Sequence, residues 1–159
     1  MAGCEGGAMY TKFLVPLDGS RVAEQVLPYA RFLVARLKMP VKLRGVIDLA
    51  AIAISVHSHN ARYLSRLADE SRRASETYLE RISKTVPEVF ITCSVETDKP
   101  EEAIIEKAAH DKRTLIAIAT HERSGVKRWT LGSVTEKVVR HSRSPVLVAR
   151  AADDDHETK

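Results

Sequence analysis

The chain has 159 residues, 44% hydrophobic and 29% charged, a balance that fits one globular domain and excludes wholesale disorder. Its formal net charge of +4 is a mild excess, and no basic stripe interleaved with aromatics appears, so nucleic acid is not expected as a partner. No apolar run is long enough to span a bilayer as a helix, so no membrane partner is expected either.

Residues 1–10, MAGCEGGAMY, lack the basic and apolar regions of a signal peptide and read as a flexible leader, with Met9 an alternative start. Phe13-Leu14-Val15-Pro16-Leu17 is a first strand that ends at Asp18-Gly19-Ser20. Val22, Val26, Ala30, Leu33 and Leu37 then recur at spacings of three and four, which makes one apolar helical stripe. Val41 to Asp48 is a second strand. Leu49 to Asn60 shows no clear period and reads as a loop or a helix approach, with the apolar run Ala50-Ala51-Ile52-Ala53-Ile54 inside it. Leu64, Leu67, Ser71, Ala74, Tyr78 and Ile82 predict a long second helix that closes near Pro87. On that helix Arg62, Arg66, Arg72, Arg73 and Arg81 alternate with Asp69, Glu70, Glu76 and Glu80, the pattern of a solvated face.

Val89 to Glu96 is a third strand. Pro100 suits a first helical position, and Glu101 and Glu102 suit the positive end of a helix dipole; Ile104, Ile105, Ala108 and Ala109 are expected on the inner face of this third helix. Leu115-Ile116-Ala117-Ile118-Ala119 is continuously apolar, the mark of a strand buried on both faces. A polar loop from Thr120 to Leu131 leads to Gly132-Ser133 and a fourth helix bearing Val134, Val138 and Val139. Pro145 opens a last strand, Val146-Leu147-Val148-Ala149, and 151–159 read as a disordered tail. The two cysteines, Cys4 and Cys93, form no disulfide framework; they suit a reducing cytoplasm, and Cys93 is expected as a small buried hydrophobe.

Five strands alternating with four helices predict an α/β fold, an open doubly wound parallel sheet of order 3-2-1-4-5. Ligands of such sheets sit beyond the carboxyl ends of the strands where the order reverses. The turn Asp18-Gly19-Ser20 and the loop 120–133 converge there, so topology alone proposes a site. Gly132 and Ser133 at a helix start fit either a phosphate cradle or a simple cap supplied by Ser133. Asp18 fits either a ligand contact or a turn-forming carboxylate.

Other chemistries find less support. His57 and His59 have no third ligand nearby for a metal, and no residue stands out as catalytic. Neither a nucleophile elbow G-x-S-x-G, a P-loop nor a C-x-x-C pair occurs.

The segment from Ala119 to Arg150, ATHERSGVKRWTLGSVTEKVVRHSRSPVLVAR, resembles the C-terminal signature of the universal stress protein family. The opening FLVPLDGS of residues 13–20 resembles that family's first strand and turn, and the likeness runs from Thr11 to Arg150. The resemblance implies one domain over 11–150 with the same α/β fold, a cytoplasmic stress-response role, frequent homodimers and, in one branch, ATP binding. It places nucleotide contacts at Pro16, Leu17, Asp18, Val46, Ala119, His121, Glu122, Arg123, Gly132, Ser133, Val134 and Thr135, with Asp18 at the adenosine part and Val46, an apolar residue that is core by default, at the adenine. ATP-binding members carry G-x-x-G ahead of the final G-S or G-T. Here Ala119 and Glu122 stand at the two leading glycines, with nine residues between Glu122 and Gly132-Ser133.

Glycine lets main-chain amides approach a phosphate; a Cβ obstructs them, and Glu122 adds a negative charge beside a polyanion. Arg123, Lys127 and Arg128 would offset that charge if they point inward. The expected protein is therefore a non-catalytic binder or sensor of ATP (with magnesium) or AMP, with an impaired phosphate loop. A weak ATPase or phosphotransfer enzyme, or an interaction module using Ile52, Ala53 and Ile54, are the alternatives. The edge strand Val146, Leu147, Val148 and Ala149 is expected to pair with its copy in a symmetric dimer, as is usual in that family.

Overall fold

Strand β1 (Lys12–Pro16) is central because its residues Phe13, Leu14 and Val15 are apolar on both faces and fully buried. In a computed structural model, which describes residues 9–57, 59–86, 90–120 and 131–151, it pairs in parallel with β2 (Val41–Ile47) and β4 (Thr114–Thr120). Outside these lie β3 (Ile91–Thr97) and β5 (Val146–Arg150), which completes the expected order β3-β2-β1-β4-β5.

Helices α1 (Arg21–Glu24), α2 (Leu27–Leu37), α3 (Leu49–Ser55) and α4 (Ala61–Ser83) connect β1 through β3. Helices α5 (Pro100–Ala109) and α6 (Ser133–His141) connect β3 through β5. Right-handed crossovers put the two sets on opposite faces. Phe13, Val15, Leu43, Val34 and Leu79 form the larger core beneath α2 and α4. Leu14, Ile104, Ala108, Ile116 and Val138 form the smaller one beneath α5 and α6.

The described residues hold five helices rather than four, counting the first, which is broken, once. The break between α1 and α2 has a cause in Pro28: it has no N–H to give to the carbonyl of Glu24. The added helix, α3, occupies the stretch read as a loop, and Asp48 caps it by accepting from the amide of Ala51 at 3.0 Å. The inner faces also shift slightly. Leu37, Ala74 and Ala109 are exposed, whereas Leu27, Val34, Leu79 and Ala103 are buried. Cys93 is exposed rather than buried, because β3 is an edge strand whose outer flank no neighbour covers. Burial of the sulfur itself still pushes its thiol pKa up, and Sγ donates to the carbonyl of Leu79 at 3.6 Å.

Residues 1–8, 152–159 and 121–130 lie outside the described residues, and with them most of the expected leader, of the tail and of the polar loop. Tyr10 packs against the larger core, and the amide of Ala151 donates to the carbonyl of Thr120 at 3.0 Å. Among the described residues no helix is long and apolar enough to cross a membrane.

One close approach depends on a missing side chain. A Cβ on Gly45 of β2 would stand 2.3 Å from Ser75 Oγ and 3.3 Å from Val95 Cγ2. Gly45→Ala is expected to cost about 1–3 kcal/mol, since α4 must lift or Ser75 must turn away. Thermal melting checks this, and adding Ser75→Ala is expected to recover part of the loss.

Candidate functional site

The carboxyl ends of β1 and β4 part where the helices diverge, and a cavity of about 180 Å³ opens between them. Pro16, Leu17 and Asp18 form one wall; Ala119, Val134 and Thr135 form the other; Val46 and Arg44 of β2 reach it from the side. Roughly 300–1,000 Å³ is usual for a drug-sized ligand, so this recess suits one ring system of a larger molecule.

Asp18 reaches the rim through a local turn. Gly19 adopts φ +85°, a conformation that glycine takes without strain, and Asp18 Oδ1 accepts from the amide of Ser20 at 2.9 Å. Ser20 in turn caps α1, its Oγ accepting from the amide of Ala23 at 3.1 Å. Both readings of Asp18 thus coexist: one oxygen shapes the turn while the residue lines the cavity.

Across the cavity, the start of α6 corrects one expectation. Gly132, not Ser133, is the N-cap residue, and among the described residues no side chain caps the helix. Ser133 is the first helical residue, so its hydroxyl does not serve as the cap. The Gly132 amide is taken by Thr120 Oγ1 at 3.2 Å, and Thr135 Oγ1 donates to the Ala119 carbonyl at 3.2 Å. Intrahelical bonding leaves the amides of the first turn free, and they carry the positive end of the helix dipole. By contrast, α1, α3 and α4 are capped by Ser20, Asp48 and Asn60.

Seven of the expected residues line the cavity: Pro16, Leu17, Asp18, Val46, Ala119, Val134 and Thr135. Gly132 and Ser133 stand at its edge as the start of α6, while His121, Glu122 and Arg123 lie outside the described residues. Ala119 is also part of the larger core.

Sequence reasoning missed Arg44, Pro100 and Ile104, which line the cavity too. The one signal for Arg44 was a charge inside the strand VKLRGVI, and Lys42 shares it. Arg44 is 5% exposed; Nη1 donates to Ser94 Oγ at 3.1 Å and Nη2 pairs with Glu96. Burial pushes the guanidinium pKa down, against the pull of Glu106 and Asp98. Its Nε is buried without a hydrogen-bond partner among the described residues.

The two helices on this face are clasped by Lys137 of α6, whose ammonium donates to Glu101 of α5. That bond, helped by a backbone amide, holds the Glu101 carboxyl below its ordinary value of 4.5. The native state therefore binds fewer protons than the unfolded chain. The clasp contributes in full above 4.5 and is lost as pH falls through the lower native value. Wild type is expected to melt above Glu101→Gln near neutral pH, and the gap is expected to close in acid.

Comparison with known proteins places these features in a group. A sequence model of the universal stress protein family matches residues 9–150. The universal stress protein MJ0531 of Methanocaldococcus jannaschii is 27% identical over 91% of this chain and 85% of its own length. The solved structure of MJ0577, from the same organism, superposes with a TM-score of 0.77 at 26% identity, covering 92% of this chain and 99% of that one. A universal stress protein family protein from Arabidopsis thaliana, with AMP bound, shares the fold at a TM-score of 0.62 and 13% identity, over 94% of this chain and 97% of its own.

Proposed function

The chain belongs to the universal stress protein family, and on that premise we propose that it is a cytoplasmic protein that binds or senses an adenine nucleotide, AMP or ATP, without catalysis. One observation carries the reading. The crevice is apolar at Pro16, Val46 and Ile104, and opens at its other end on the uncapped start of α6, which is 133–141. An apolar recess suits a base, and free first-turn amides suit a phosphate. Asp18 lies at the rim between them, within reach of a ribose hydroxyl, and the bound AMP of the Arabidopsis relative supports the choice of ligand.

The non-catalytic reading rests on how the hydroxyls are spent. Ser20 caps α1 and Thr135 donates to Ala119, so neither is paired with a base that would activate it. Among the described residues no group of three acidic, histidine or cysteine side chains is placed to hold a metal, so magnesium would arrive with ATP.

The loop substitutions point toward AMP over ATP. Ala119 packs into the core, so its methyl is a small obstacle, and the charge of Glu122 carries most of the effect. Two like charges about 4 Å apart repel by roughly 1–4 kcal/mol, a penalty that grows with each added phosphate. Calorimetric titration at two temperatures is expected to show AMP binding in the micromolar range and weaker binding of magnesium-ATP. Ala119→Gly with Glu122→Gly is expected to tighten ATP at least about fivefold and AMP less. No heat with either nucleotide would sink the reading and favour an interaction module.

We also propose a symmetric dimer through β5. Pro145 accepts from the Ile116 amide and Ala151 donates to the Thr120 carbonyl, so odd-numbered groups face β4 and the amides of Val146 and Val148 face outward. Val146, Leu147 and Val148 are only half-buried along this apolar edge. Val148→Pro removes an outward amide while sparing the ladder to β4. Sedimentation is expected to show a dimer for wild type and a monomer for the variant.

A further inference from the structure

A buried donor without an acceptor is uncommon, and Arg44 Nε is one. Ser94 Oγ accepts from Nη1 at 3.1 Å, and Nη2 pairs with Glu96, whose Oε1 is itself buried with no hydrogen-bond partner among the described residues. These partners fix the fork in place on the sheet face that carries Val46. Arg44 borders the crevice on one side, and on the other a second, polar cavity of about 90 Å³ shared with Glu96, Glu106, Lys107 and His110. Two residues along one strand, roughly 6.6 Å, separate Arg44 from Val46, so Arg44 lies deeper than the wall against which a base would rest.

Resting on the nucleotide reading above, we infer that Arg44 is a specificity-determining residue of the crevice, its Nε–H reserved for an acceptor on the inner edge of the base. The orientation follows from charge and polarity. Phosphates are drawn toward the start of α6 and the ribose toward Asp18, so the purine edge farthest from the ribose enters first. In adenine that edge carries N1, an acceptor. In hypoxanthine and guanine the same nitrogen carries a proton and would meet Nε donor to donor. Arginine has donors only and keeps its charge, so it cannot adapt by changing its protonation.

The test compares AMP with 1-deaza-AMP, in which N1 is replaced by C–H. Wild type is expected to bind AMP about tenfold more tightly than the analogue, the effect of one hydrogen bond from a charged donor. Arg44→Lys keeps the charge beside Glu96 but puts a methylene where Nε stands. It is expected to bind both ligands alike, near the affinity of wild type for the analogue. Arg44→Met is the second variant; the Glu96 side chain is 36% exposed, so its carboxylate can turn to water when its partner is gone. Equal binding of both ligands by wild type overturns the inference while leaving the nucleotide reading intact. Discrimination that survives in both variants also overturns it, since another group would then be reading the base. If neither ligand binds wild type, the nucleotide reading and this inference fall together.

Discussion

The position of β1 governs the rest of this molecule. Its buried residues Phe13, Leu14 and Val15 need apolar cover on both faces, and it has a parallel neighbour on each side. Parallel strands joined by right-handed crossovers must then send the helices of the two halves to opposite faces. Because 1→2→3 runs one way and 4→5 the other, the loops leaving β1 and β4 turn apart. The crevice is the space they leave. No single side chain creates it, which is why its location depends on strand order more than on any motif.

The two faces are covered unequally, and that inequality puts a charge at the site. Under α4 the strand β2 presents Val41, Leu43, Gly45 and Ile47, all buried, with Gly45 admitting the closest approach of Ser75. On the opposite face it presents Lys42, Arg44 and Val46, beside Thr92, Ser94 and Glu96 of β3. Helix α5 sits over the smaller core around Leu14, Ile104 and Ile116, and β3 contributes no residue to that core. A polar alternation is tolerated there because water and ion pairs reach it. A buried guanidinium with no partner would be costly, so Ser94 and Glu96 are what make Arg44 tenable in a strand.

The architecture was readable because β4 is an unbroken apolar run and the helical stripes repeat at three and four residues. What escaped has physical reasons. Pro28 stands at a position that the first turn of a helix accepts, so the chain pattern did not separate a break from a continuous helix. In α3, the Asp48 cap was overlooked because the apolar residues that follow are nearly continuous and mask the period. Of the site, Asp18 was legible from topology, since it follows β1 at the reversal, and Val46 from family resemblance alone. Arg44 was not: an inward-facing arginine looks like a solvated charge until its exposure is known.

The free edges differ in the same way. Edge strand β3 shows exposed Thr92, Cys93 and Thr97, a polar flank that discourages pairing, whereas β5 carries valine, leucine and alanine from 146 to 149. The crevice lies one strand inward from that apolar edge. A single residue spans the distance: the Thr120 hydroxyl accepts from the Gly132 amide at the start of α6, and its carbonyl accepts from the Ala151 amide just past β5. A shift of β5 against β4 at this end therefore bears on the residue that holds the start of α6. The edge that would meet a second copy and the wall that would meet a ligand are thus parts of one hydrogen-bonded unit.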